Sequence, residues 1–373
     1  MKETKDYSTV MIVLMCGFSA FPAMFTLAVA FLVVHSHFGM WGIAGLAVVL
    51  GVAVYVVVVW VRRLGAVRYA NVPHGYIPPD WQTHPVVAVK KAPAVIRSVP
   101  PDGARAYESA LVFERIEEET ILAALWVDLI IRGYVQVVRY AREHVGFSAV
   151  SRELNSLTPP ERHFMSALFG KASFVHCNVF KVADYDRVIR FARAFLVKTP
   201  LLRLSNASLW SMGGFIIVLA SGGVVMGAKE LSKSPVSLFV VIVSIVMLAA
   251  GVVALFAQPL TAYGQAVHEQ CEGYRAYLET LRPEMSRWEQ GVDVFSRDLA
   301  HAVAVGGGER WTAVCGSFAS RYAVPKPAWI ASTHAGAWAT PEGYDTAALT
   351  VRTILGRAAR LAIESSERNR SAA

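Results

Sequence analysis

The sequence predicts a mainly α-helical integral membrane protein. It would have four transmembrane helices, a small α+β, winged-helix-like cytoplasmic domain and a helical C-terminal region. Three observations predict this. Hydrophobic residues make up 54% of the 373 and charged residues only 17%, below the ~25% usual in soluble domains. Mean hydropathy is +0.41. Four long apolar runs carry no internal Asp, Glu, Lys or Arg, and 34 of the 36 Lys and Arg residues lie outside the two short loops joining those runs in pairs.

The first run is 9–34, from Thr9 to Val34, with Pro22 inside it as an expected kink. As a helix it would extend ~39 Å, enough to cross a ~30 Å hydrocarbon core with tilt. Lys2 and Lys5 give it a basic start. It is nevertheless too long for a signal-peptide core and has no clean small-residue cleavage site, so an uncleaved helix is expected. The second run is Phe38–Val61, the third roughly Ser208–Ala228 and the fourth roughly Pro235–Ala257. The basic residues before, between and after the pairs place both termini and both polar regions in the cytoplasm, in a multi-pass protein of the cell membrane. The formal charge of +8 largely expresses this asymmetry and is weak support for nucleic acid binding.

This organisation gives five segments: a helix pair at 1–63, a Pro-rich linker at 64–103, the α+β domain at 104–203, a second helix pair at 204–257 and the helical region at 258–373. Seven prolines between Pro73 and Pro101 mark the linker as extended, with Val86 to Val89 as a short strand. In the third segment a helix follows Pro101-Asp102. Another starts at the Glu117-Glu118-Glu119 carboxylates, which suit a positive helix end. Its apolar stripe is Ile121, Leu122, Leu125, Leu129 and Ile130, and Gly133 supplies a left-handed cap. Tyr134–Val138 and Val145–Val150 read as paired strands. Thr158-Pro159-Pro160-Glu161 is a capping sequence for a third helix. A strand over Ser173–Phe180 and a helix over Asp184–Val197 complete the domain.

Beyond the fourth run, Tyr263, Val267, Cys271, Tyr274 and Leu278 make one apolar seam on a helix over Thr261–Thr280. Leu299, Val303, Trp311, Val314, Cys315 and Phe318 continue the pattern in shorter helices. A last helix near 345–364 buries Val351, Ile354, Leu355, Ala358 and Leu361. Arg352, Arg357 and Arg360 flank that stripe, so the helix packs on the domain or lies on the inner leaflet.

Several phrases form an ordered set. They are Ile121 to Leu125 with Asp128-Leu129 and Arg132-Gly133-Tyr134, then Leu157-Thr158 with Glu161. Glu272-Gly273-Tyr274-Arg275 with Tyr277-Leu278 follows, then Phe295 to Gly306 with Trp311, and Pro327-Ala328-Trp329. The set resembles the bacterial membrane-protein family known as domain of unknown function 2207, across roughly residues 95–330. The extracytoplasmic β-rich domain usual in that family is expected to be absent, with the first two apolar runs in its place. Thr261-Ala262-Tyr263-Gly264 departs from the family's arginine-bearing phrase. The resemblance implies no established activity.

No catalytic, cofactor-binding or metal-binding residues are expected. The four cysteines, at 16, 177, 271 and 315, form no CxxC pair. His268, Cys271 and Glu272 share a helical face and could begin a metal site, but Cys271 belongs to the apolar seam and a fourth ligand is missing. His176 and Cys177 are strand neighbours pointing to opposite faces, which excludes a nucleophile–base pair. His35 and His37 bracket a loop, and ordinary interfacial packing accounts for them. Gly306-Gly307-Gly308 lacks the following Lys and hydroxyl of a phosphate cradle and reads as a turn. Arg187, Arg190 and Arg193 form a basic stripe that suits solvent or an anionic leaflet. Gly223 and Gly227 make a GxxxG suited to close helix contact.

The function this favours is a non-enzymatic, membrane-anchored interaction or regulatory protein with a cytoplasmic platform. Its partners would be the lipid bilayer and another protein, with self-association compatible and no sequence-specific nucleic acid binding. A small-solute transporter or channel component is the first alternative, against which the spans carry no intramembrane charge. A membrane-bound enzyme is the second, for which no nucleophile, base or metal set is visible.

Overall fold

The computed structural model describes residues 67–88, 95–113, 118–141, 144–150, 154–196, 198–202, 260–282, 293–319, 327–331 and 341–371, with scattered positions between 214 and 252. The chain divides into two compact units. One comprises 1–65 and 206–259, the other 66–205 and 260–373. In the first unit the described positions, such as Ile217, Val218, Ser244 and Met247, are helical.

The second unit is built from two separate stretches of chain. β1 (Val67–Tyr69) pairs antiparallel with β2 (Val86–Ala88). Helices α1 (Ala106–Phe113) and α2 (Glu118–Ile131) follow. Strands β3 (Val135–Ala141) and β4 (His144–Ala149) form a hairpin. Then come α3 (Pro159–Phe169), β5 (Phe174–His176) and α4 (Val182–Leu196). The second stretch supplies α5 (Ala262–Thr280), α6 (Val294–Ala304), α7 (Gly308–Ala319), β6 (Ile330–Ala331) and α8 (Pro341–Ser371).

The main sheet has the order β5-β4-β3-β6. β6 lies parallel to β3, with Val137 opposite Ile330, while the other pairs are antiparallel. The Pro327-Ala328-Trp329 phrase is what delivers β6. The Trp329 carbonyl accepts from the Val137 N–H at 2.9 Å, and its indole N–H donates to the Ser296 hydroxyl at 2.8 Å.

α2 is the centre of this unit. Thr120 through Val127, Leu129 and Ile130 are all buried, because α1, α4, α6 and α8 pack around it. The amphipathic helix expected here is therefore corrected. Both faces are covered, one by elements from more than 160 residues further along the chain, which no local periodicity reveals. Trp126 sits at its middle, with ring centroids 4.8 Å from Phe147, 5.3 Å from Phe164 and 6.3 Å from Phe180.

Helix ends follow local chemistry. Gly133 has φ 75° and ends α2, as its lack of a Cβ permits. The Thr158 N–H donates to the Glu161 carboxylate at 2.6 Å at the start of α3. The Thr261 hydroxyl accepts from the Gly264 N–H at 2.9 Å and caps α5. Gly306, with φ 76°, ends α6, and α7 begins at Gly308. The triple glycine is thus a helix-to-helix turn.

Three further expectations are corrected. No helix among the described residues is long and apolar enough to cross a membrane, so the four-transmembrane-helix architecture is not supported. The longest described helix, α8, runs 31 residues but carries Glu364, Glu367, Arg368 and Arg370. The runs at 9–34 and 38–61 lie outside the described residues, and those at 208–228 and 235–257 lie largely outside them. His35, His37, Gly223 and Gly227 lie outside them as well.

Second, a winged-helix-like unit does not form from 104–203. The hairpin stands between the second and third helices, and its sheet is completed by β6 from the second stretch. Third, the Pro-rich segment is not simply extended. Tyr69 is buried with Ala262 and Ala266 of α5, and the Pro85 carbonyl accepts from the Ala70 N–H at 2.9 Å.

α8 packs on the unit through α2, α4, α7 and β4, which decides between the two placements open for it. Val351, Ile354, Ala358 and Leu361 are buried. Ser365 donates to Asp186 at 2.6 Å, and Arg368 pairs with the same carboxylate.

Candidate functional site

Two polar features stand out among the described residues: a buried charge cluster and an open cleft.

The charge cluster centres on Glu161, whose side chain is 0% exposed. Its two oxygens accept from Arg105, at the head of α1, and from Arg132, at the end of α2, the latter at 2.5 Å. Arg132 also reaches Asp128 at 2.9 Å. The Tyr107 hydroxyl donates to the Thr158 hydroxyl at 3.2 Å, and the Arg105 N–H donates to Glu108 at 2.9 Å. Burial by itself raises the Glu161 carboxyl, but the Arg105 hydrogen bond, the Thr158 N–H and the charge of Arg132 outweigh it and leave the group below the usual carboxylate range. Burial pushes Asp128 and Glu108 the other way, above that range, in spite of Arg132 and Arg105. The cluster clamps the ends of three helices. Charge pairs of this kind cost desolvation and return it through geometry and specificity.

The cleft lies where β4, the turn after β5 and α8 meet. It measures about 450 Å³ and is lined by His144, Val145, His176, Cys177, Asn178, Val179 and Thr353. His176 stands opposite Gly146 in the strand register, and side chains two apart on a strand share a face. His144 and His176 therefore lie on the same side of the sheet. Phe174 shares that side, its ring 5.3 Å from His176. A Cβ at Gly146 would strike the Phe174 ring, so that glycine lets the aromatic lie flat on the sheet. The opposite side, with Val145, Phe147 and Val175, is buried. Burial pushes the Cys177 thiol up, while the Arg357 and Arg360 guanidiniums pull against it. Arg357 donates to the Phe180 carbonyl at 2.5 Å.

The other residues singled out in the sequence are dispersed. Cys271 is fully buried, 4.0 Å from the Ser109 carbonyl, and burial pushes its thiol up to about 12. His268 faces Glu272 at 3.4 Å, and its ring lies 5.8 Å from Phe113. The three do not converge on one point, and among the described residues no group of three His, Cys, Asp or Glu is placed to hold a metal. Metal analysis of the purified protein is expected to find well under one zinc per chain. One zinc per chain, lost on His268→Ala or Cys271→Ser, would contradict that expectation. Within the basic stripe, Arg193 pairs with Glu118 at 2.6 Å, and Arg190 turns back to the Asp186 carbonyl at 3.3 Å.

Sequence reading missed His144 as a cleft residue and Glu161 as a buried charge. The signal for the first was available, since pairing of β4 with β5 brings His144 diagonally near His176. Glu161 carried only its capping signal.

The chain thus folds a mainly helical unit from two of its stretches, with a charge clamp across three helix ends and a cleft at the seam between the stretches. The model of the family described as "Predicted membrane protein (DUF2207) C-terminal domain" matches residues 90–314, more than half of the chain. The chain belongs to this family of predicted membrane proteins. No curated protein and no solved structure matches it.

Proposed function

We propose that the chain is a non-enzymatic, membrane-anchored interaction protein, with the 66–205/260–373 unit on the cytoplasmic side holding an acidic segment of a protein partner. One observation carries this reading. The cleft joins two histidines of one sheet face to a surface under the influence of Arg357 and Arg360, at the seam between the two stretches. Its volume suits a few side chains; Arg357 is spent on the Phe180 carbonyl and on Glu364, 3.7 Å away, and the exposed Arg360 is the cation that favours a carboxylate. Raised thiols at Cys177 and Cys271 are poor nucleophiles at neutral pH, which supports the non-enzymatic part.

A photo-crosslinking residue at Asn178, in cells, tests this. The expected product is one discrete adduct, mapping to an Asp/Glu-rich peptide and weakened several-fold by Arg360→Glu. No adduct, or an adduct indifferent to Arg360→Glu, would contradict it.

Sequence-selective DNA binding has less support. In α3, the best-capped candidate recognition helix, Glu161 is committed to the charge clamp and Phe164, Met165, Leu168 and Phe169 are buried, leaving few polar groups for base edges. Gel shifts with the detergent-solubilised full chain are expected to show weak, salt-sensitive binding without sequence preference. Sequence-selective binding at physiological salt would refute this.

A further inference from the structure

We propose that the outer face of α3 and α4 docks on anionic phospholipid headgroups, with the Phe191 ring entering the boundary between headgroups and acyl chains.

α4 is amphipathic, but its outer arc is not simply polar. Tyr185, Val188, Ile189, Ala192 and Leu196 are buried, at the spacing of one helix face. Arg187, Arg190, Phe191 and Ala194 follow one another on the opposite arc at steps of three and four residues, and all four are exposed. Phe191 keeps 44% of its surface in solvent. α3 packs alongside and continues the surface with the exposed Arg162 and Ser166. Between them, the His163 ring of α3 lies 5.0 Å from that of Phe191. The His163 Nε2 atom is shielded from solvent and finds no partner among the described residues. Packing against Phe191, not a hydrogen bond at that nitrogen, holds the ring.

The face is net positive. Among the described residues neither Arg162 nor Arg187 pairs with a carboxylate. Arg190 donates to the Asp186 carbonyl, an uncharged acceptor. Neighbouring carboxylates are engaged elsewhere. Asp186 is held by Ser365 and Arg368, Glu118 by Arg193, and Glu161 by the charge clamp. Asp184 is the acidic group beside this face. Burial and the Arg187 charge hold the His163 imidazole below its ordinary range, with Asp184 pulling the other way. The positive charge therefore resides on the guanidiniums.

A cationic face fits an anionic partner, and the single outward ring selects among such partners. Guanidiniums around one exposed aromatic side chain suit a bilayer surface, where the cations meet headgroup phosphates and the ring passes below them. Nucleic acid is the weaker fit. Single strands are held on successive stacking rings, and the exposed ring of this face packs on a histidine. The chain also belongs to a family of predicted membrane proteins, so a bilayer is the anionic surface at hand.

The inference rests on the membrane anchorage proposed above and is independent of the cleft's partner. It is tested on the full chain, with Cys16→Ser and Cys177→Ser, in lipid nanodiscs. An environment-sensitive probe is placed at Ala194→Cys, and protease resistance of 66–205 and 260–373 checks that each variant is folded. Nitroxide high on the acyl chains is expected to quench the probe several-fold more with phosphatidylserine present than in phosphatidylcholine alone. Arg162→Gln or Arg187→Gln should lower the docked-to-free ratio about fivefold each, and Phe191→Ser should lower it as well. Arg282→Gln removes the same charge from an exposed position beyond α5 and should leave the ratio unchanged. An equal loss for Arg282→Gln would reduce the effect to net charge and overturn the docking face. Quenching indifferent to phosphatidylserine and to the α3 and α4 variants would also overturn it, while leaving an Asn178 adduct untouched. A probe shielded from aqueous iodide yet unquenched by lipid would overturn it in favour of a protein cover, or of nucleic acid if nuclease restores access. Failure of the chain to enter nanodiscs would overturn both the docking face and the anchorage.

Discussion

Trp126→Ala is expected to destabilise the folded unit by about 3–5 kcal/mol, the range for removing a large buried aromatic. Trp126 is fully buried on α2, and its ring neighbours come from β4, α3 and the turn that leads into α4. The cavity left by its removal would open between β4, α3 and the turn before α4. Its indole N–H finds no acceptor among the described residues. A buried polar group without a partner costs about 1–3 kcal/mol. Trp126→Phe removes that group and keeps most of the aromatic surface, so it should cost clearly less than the alanine substitution. Denaturant titration of the full chain in detergent, followed by protease resistance of 66–205 and 260–373, measures both. Equal losses for the two variants would mean that ring packing at this position is not what holds the centre together.

Glu161→Gln is expected to cost about 3 kcal/mol. Removing one partner of a buried pair is normally worth 3–5 kcal/mol. The lower end applies because Arg105 and Arg132 keep 34% and 28% of their side-chain surface in solvent, which screens the loss. The substitution should also change the pH profile. Glu161 lies below its ordinary range in the folded state. Its contribution is therefore present above the unfolded pKa and is lost as pH falls through the folded one. Asp128 and Glu108 lie above their ordinary ranges. The folded state binds their protons first, and stability rises as pH falls through those raised values. The wild type should thus gain stability on mild acidification and lose it again at lower pH. Glu161→Gln should show a smaller gain, because the Glu161 charge helps to raise Asp128 and Glu108, and should lack the later Glu161-dependent loss. A variant with an unchanged acid limb would show that Glu161 is not the charge on which the clamp depends.

Much of the second unit was legible in local sequence. Thr158, Gly133 and Thr261 mark helix ends by hydrogen-bonding and backbone rules that act over a few residues, and each operates in the structure. The seam of Val267, Cys271, Tyr274 and Leu278, and the stripe of Val351, Ile354, Ala358 and Leu361, identify buried helix faces through their period.

What local sequence did not reveal depends on distant partners. α2 reads as amphipathic because its second covering layer arrives with α6 and α8. β6 has only two residues and no strand signal, and it exists through its ladder with β3. Glu161 is surrounded by ordinary capping residues, while its arginines lie 56 and 29 positions away. The cleft forms only once the pairing of β4 with β5 and the course of α8 are fixed. The prolines of 73–101 suggested an extended chain, whereas the Pro73 and Pro78 carbonyls close local turns with Tyr76 and Trp81, and the Pro85 bond to Ala70 and the seat of Val95 and Arg97 on Gly273 depend on partners further along the chain. The ordered phrases of the family lead mostly to architecture. Asp128, Arg132 and Glu161 build the clamp, Gly273 and Tyr274 pack α5, and Trp329 carries β6.

The proposed cytoplasmic placement of the folded unit is tested most directly by thiol accessibility in intact cells. In a background of Cys16→Ser and Cys177→Ser, cysteine is placed at Ser98 or Ser366, both exposed on the second unit. A membrane-impermeant maleimide is expected to leave both positions unmodified until the membrane is permeabilised, and then to label both. Labelling of Ser98→Cys in intact cells would place the folded unit outside and contradict the account.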